Sequence, residues 1–169
     1  MQEWYRPEQM HDFFVVIGTS AGALIGLLFI AVSLHLNDLV ANQRLYRRAY
    51  NNTCYLLIVM IEALALLLPQ PMQLLGIEIA IANILGLLLL VKFVVTFFTD
   101  RENYLSAGGQ PYLTFMSIGC FVLGAAGGFA LILERNWGAY LVALSCAVLI
   151  VRVVLTAWLI MVRISQLEA

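Results

Sequence analysis

The chain has 169 residues, of which 63% are hydrophobic and 11% charged, with a formal net charge of −1. Soluble domains are about 45–50% apolar and about 25% charged, so this composition excludes a water-facing globular fold, and its apolar content excludes disorder. Nine Lys and Arg residues neither coat a soluble surface nor build the basic stripe that nucleic acid requires, which leaves an all-α helical bundle embedded in a bilayer.

A helix rising 1.5 Å per residue needs about 20 mostly apolar residues to cross the hydrocarbon. The flank before Phe13 leans acidic, whereas a secretory leader opens on a basic segment, so the first apolar run reads as a retained helix. Five stretches reach or approach the required length: Phe13–His35, Asn51–Leu68, Leu74–Phe98, Leu113–Leu133 and Gly138–Val162. The second is the shortest, carries Glu62, and is ended by Pro69-Gln70-Pro71. A re-entrant loop there would leave four spans. The connections at 36–50 and 99–112 are too short to fold separately, so residues 1–169 read as a single transmembrane domain.

With five spans, Arg44, Arg47, Arg48, Arg101 and Arg163 fall on one side and only Arg6 and Arg135 on the other. The positive-inside rule then puts the N-terminus outside and the C-terminus in the cytoplasm. Trp4, Tyr5 and Trp137 fall at the outer interface, where amphipathic rings are favoured. Arg44, Arg47 and Arg48 are the expected contact with anionic membrane lipid or with a partner.

Gly18, Gly22 and Gly26 make two overlapping G-x-x-x-G steps in the first span, with Thr19 and Ser33 nearby. Gly124 and Gly128, with Ser117, Ala125 and Gly127, repeat the pattern in the fourth. Small residues at this spacing let helices approach closely where lipid gives no hydrophobic drive to associate. Such faces serve a homo-oligomer, a partner membrane protein, or packing within one chain.

Ionisable groups at membrane depth are costly and usually face protein or water. Glu62, Glu78, Lys92 and Arg152 qualify. Lys92 and Glu78 lie near span ends and can reach the headgroups. Glu62 and Arg152 each fall within about 4 Å of a span midpoint. Asn51, Tyr55 and Glu62 share one helix face, and so do Ser145, Arg152, Thr156 and Arg163. Two polar stripes bearing opposite charges predict a Glu62–Arg152 contact, serving either as a register-fixing ion pair or as part of a hydrated path.

Cys54, Cys120 and Cys146 lie in apolar runs without a C-x-x-C pair, which suits buried thiols. His11 and His35 sit at opposite ends of the first span, too far apart to share a metal. No hydrolase, metalloprotease or phosphate-loop motif occurs, so the expectation is a protein without enzymatic activity or cofactor. The segment Arg47-Arg48-Ala49-Tyr50-Asn51-Asn52 is similar to one in small membrane glutathione transferases. It departs from them where Cys54 and Tyr55 replace the glutamate that follows.

The run from Phe13-Phe14-Val15-Val16 through Gly18-Thr19-Ser20-Ala21-Gly22-Ala23-Leu24 to Gly26-Leu27-Leu28-Phe29-Ile30-Ala31-Val32-Ser33-Leu34 resembles the first helix of a family of small bacterial multi-pass membrane proteins. Some relatives in that family are labelled modulators of a membrane-bound AAA-type protease. The resemblance implies a bacterial inner membrane and supplies no catalytic residues. Two functional expectations follow from the whole sequence. The first is a non-catalytic subunit or regulator of a membrane complex, packing through its glycine faces. The second is a small homo-oligomeric ion or proton pore or carrier that uses Glu62 and Arg152.

Overall fold

The computed structural model describes residues 7–36, 43–99 and 111–167. They form five α-helices: α1 (Pro7–Leu34), α2 (Gln43–Leu67), α3 (Met72–Thr99), α4 (Pro111–Ile132) and α5 (Gly138–Leu167). Each contains a stretch of 20 to 25 residues long and apolar enough to cross a membrane. The chain is therefore an all-α, multi-pass integral membrane protein. The side chains of Arg44, Lys92 and Arg163, and Trp4, Tyr5, Arg6 and Arg101 entirely, lie outside the described residues.

The helices outrun the apolar stretches because polar residues can continue a helix into the headgroup region. Pro7 and Pro111 open α1 and α4 at the first position, where a missing N–H costs nothing. α2 begins eight residues before Asn51, so Arg47 and Arg48 lie on its first turns rather than in a loop. The re-entrant alternative for this segment is also corrected. α2 runs unbroken for 25 residues, because its polar side chains face protein rather than lipid. Past its end, Gln70 Nε2 donates to Ala65 O at 3.2 Å and to Glu78 Oε2 at 2.8 Å.

α4 and α5 are joined tightly. Glu134 N donates to Leu131 O and Arg135 N to Ala130 O, both at 2.9 Å, the paired bonds of a Schellman cap. The residue at its turning point is Glu134, with φ 55° where glycine is favoured. Its carboxylate accepts from Gln73 Nε2 at 3.0 Å, tying this turn to α3.

α2, α3, α4 and α5 form a four-helix ring in which sequential neighbours touch and α5 returns to α2. The α3–α4 interface is the most extensive. α1 lies against α2 and brushes α5. Only 11% of its most apolar stretch is buried inside the chain, against 33–50% for the other four.

Glycines explain the tight α3–α4 seam. A Cβ on Gly128 would lie 2.8 Å from Ala80 N and 2.9 Å from Gly76 O. One on Gly76 would lie 2.6 Å from Ile132 N and 2.7 Å from Gly128 O. Both obstacles are backbone, which cannot swing aside, so a methyl group at either position must push the helices apart. Gly127 and Gly138 do the same for α4 and α5, each facing the other's carbonyl oxygen. Gly128→Ala should therefore destabilise the fold by about 1–3 kcal/mol, the usual cost of overpacking. Gly119→Ala, where a Cβ meets nothing within 4 Å, should change stability little. Unfolding in mixed micelles compares the two.

Candidate functional site

Polar side chains collect inside the four-helix ring at two levels. The first centres on Glu62 of α2, which is 1% exposed. Its Oε1 accepts from Asn83 Nδ2 of α3 at 2.5 Å, and its Oε2 accepts from Cys146 Sγ of α5 at 3.1 Å. Asn83 is fully buried, and its Nδ2 also reaches Ile79 O at 2.9 Å. Gly124 of α4 is what lets the amide lie here. A Cβ on Gly124 would run into the Asn83 side chain, meeting Cγ at 2.7 Å.

The second level centres on Arg152 of α5, 8% exposed. Its Nη1 donates to Asn52 Oδ1 of α2 at 2.6 Å, and its guanidinium carbon stands 4.8 Å from the centre of the Tyr55 ring. That distance suits a cation–π contact. Tyr55 packs edge-on against Phe121 of α4, with ring centres 5.3 Å apart. Phe121 in turn fills the space over Gly86 of α3, where a Cβ would meet its ring. All four helices thus contribute to both levels.

The expected Glu62–Arg152 pair is not formed, and each residue has other partners. Two physical reasons account for this. α2 extends further at its Gln43 end than the apolar run suggests, so its midpoint falls at Tyr55 and Glu62 sits toward the Leu67 end. The α4–α5 contacts also fix the height of α5. Ser145 Oγ donates to Cys120 O at 2.8 Å, and Gly127 meets Gly138, which brings Cys146 level with Glu62. Arg152 is then six residues, about 9 Å, further along α5.

The anticipated polar path is likewise interrupted. Val59 separates Tyr55 from Glu62 along α2, Leu149 separates Cys146 from Arg152 along α5, and both are fully buried. Ser145 bonds to the α4 backbone, and Thr156 Oγ1 bonds to Arg152 O on its own helix at 3.0 Å.

Of the other residues singled out in the sequence, Gly18 packs on α2, where a Cβ would stand 3.3 Å from Ala63 Cβ. Gly22 and Gly26 face open space. Gly124 and Gly128 are used within the chain, against α3. Arg47 is exposed and Arg48 half-buried. Glu78 is exposed and bound by Gln70. The sequence reading missed Asn83, Asn52, the role of Cys146, and Gly76 with Gly86. The signal for Asn83 was its position on one helical face with Gly76 and Ala80, as a lone amide in an apolar run.

No protein-family model, curated protein or solved structure matches the chain.

Residues that share no partner act additively to within about 0.5 kcal/mol, whereas bonded pairs couple by about 0.5–3 kcal/mol. A double-mutant cycle of Glu62→Gln with Arg152→Met should fall in the additive class. A cycle of Arg152→Met with Asn52→Leu should show coupling. Equilibrium unfolding in mixed micelles measures both, and strong coupling in the first cycle would restore the ion pair.

Proposed function

We propose that this protein is a non-catalytic subunit or regulator of a membrane complex, and that it docks on its partner or on a second copy through α1. The observation that carries this reading is the asymmetry of the glycine faces. Gly76, Gly124, Gly127 and Gly128 are closed by neighbouring helices of the same chain, while Gly22 and Gly26 are open on the least buried helix. An open pair of glycines four residues apart offers a second helix close backbone approach, which lipid chains do not exploit. Thr19 and Ser33 add no unmet polar demand there, because their hydroxyls bond to Val15 O and Phe29 O one turn back, each at 2.8 Å.

The openness of these positions makes the test clean. A Cβ at Gly22 or Gly26 meets nothing within 4 Å in its own subunit, so the fold should survive Gly22→Leu and Gly26→Leu. Light scattering in mild detergent should show the complex or oligomer losing mass in these variants. Full assembly in both would refute docking through this face.

The alternative pore or carrier draws support from Glu62, but the fully buried Val59 and Leu149 leave no continuous polar route to Arg152. Proton or ion flux through liposomes containing the purified protein would favour it over the docking reading.

The proposed setting is a bacterial inner membrane, as the first-helix resemblance implies, with the N-terminus outside and the C-terminus in the cytoplasm, an orientation supported by the distribution of arginines. Arg44, Arg47 and Arg48 then lie at the cytoplasmic end of α2, at headgroup level. Single cysteines placed beside Arg47 and beside Arg135, in a background without native cysteines, report the sidedness. An impermeant thiol reagent added to intact cells should label the second and not the first.

A further inference from the structure

The Glu62 carboxyl is almost completely enclosed, and its two hydrogen-bond partners, an amide and a thiol, carry no formal charge. Among the described residues, the groups around it are uncharged on every side. α3 supplies Asn83, α5 supplies Cys146, and α4 supplies Gly124 behind the Asn83 amide. α1 presents only Phe14, Ile17 and Ala21 on its buried face. Arg152, on α5, is turned to Asn52. Glu78 and Glu134 are exposed at the helix ends and held by Gln70 and Gln73.

A second feature points to what occupies the site. Asn83 Oδ1 is buried without a hydrogen-bond partner, beside the carboxyl that its Nδ2 contacts. An orphaned buried acceptor is rare and calls for an explanation. Side-chain amide oxygen and nitrogen have the same shape, so the two orientations differ only in their bonding. With the amide turned, Oδ1 faces Glu62 Oε1. The 2.5 Å separation there lies within the range of O–H···O bonds. Turning the amide replaces its bond to Ile79 O with a contact between two acceptors, a cost that the bond from the Glu62 O–H to Oδ1 has to offset. A hard metal cation gathers about six oxygens, whereas three side-chain oxygens meet here.

We propose that Glu62 and Asn83 form a proton-binding site in the bundle core, in which the carboxyl carries an exchangeable proton that Asn83 Oδ1 accepts. Loading joins one proton to Oε1 and turns the amide; release leaves the carboxylate facing Asn83 Nδ2 and the Cys146 thiol. Gly124 is part of the site, because it provides the space in which the amide turns. The site does not depend on how α1 docks, so either idea can fail alone.

Dicyclohexylcarbodiimide tests it on the whole protein in phosphatidylethanolamine–phosphatidylglycerol vesicles. The reagent adds the O–H of a protonated carboxyl in an apolar setting across its C=N bond and rearranges to a stable N-acylurea, with nothing leaving. Peptide mapping of the wild-type chain should find the adduct on Glu62, falling severalfold as the pH is raised and unchanged by added sodium chloride. Infrared spectra should show a carboxylic C=O stretch that is absent in Glu62→Gln and moves to higher frequency in Asn83→Leu, which lacks the amide acceptor. Should Glu62→Gln fail to fold, the wild-type mapping and the Asn83→Leu shift still decide. Absence of a Glu62 adduct throughout the pH range would overturn the proposal. Protection by sodium at constant pH would also overturn it, in favour of a metal-cation site.

Discussion

The close approach of α3 and α4 is the constraint on which the rest of this structure depends. Within a bilayer, water does not drive helices together, so association rests on van der Waals contact and hydrogen bonds between helices. Gly76 and Gly128 bring the two backbones into direct contact, and neither position has room for a methyl group. That spacing brings Asn83 against Gly124 and carries its amide to Glu62 on α2. A packing requirement at one end of the seam thereby fixes the partner of a buried carboxyl further along it.

The same economy of small residues sets the height of α5. Gly127 and Gly138 meet at the short turn, and Ser145 bonds to the α4 backbone one level deeper. Cys146 then faces Glu62, while Arg152 faces Asn52 and the Tyr55 ring. The core is consequently layered. A carboxyl level and a guanidinium level are separated by fully buried Val59 and Leu149. Four helices are committed to this arrangement, and α1, which contributes least to it, retains a face with open glycines.

The five helices were legible because about 20 apolar residues in a row have few other uses. Their ends were not, since hydropathy sees only the part in hydrocarbon and misses the turns that α2 adds at Gln43–Asn51. The identity of the polar residues was legible too: Glu62, Arg152, Ser145 and Thr156 are all buried. Their pairing was not. Pairing depends on the relative height of helices, and a shift of two turns exchanges one partner for another. That shift is set by contacts such as Gly127 with Gly138, which join residues on different helices and leave no periodic trace in either. Asn52 shows the limit at finer scale. Asn51, which shares a face with Tyr55 and Glu62 by a four-plus-seven count, was the expected member of the stripe. The neighbouring Asn52 is the residue that meets Arg152.

The most direct test of the layered core is a solid-state NMR measurement of dipolar coupling between the Glu62 carboxyl carbon and nearby side-chain groups, made on the protein in bilayers. The account predicts a contact with the Asn83 amide and none with the Arg152 guanidinium. Coupling to the guanidinium, with Asn83 remote, would contradict it and return the two charges to a single buried ion pair.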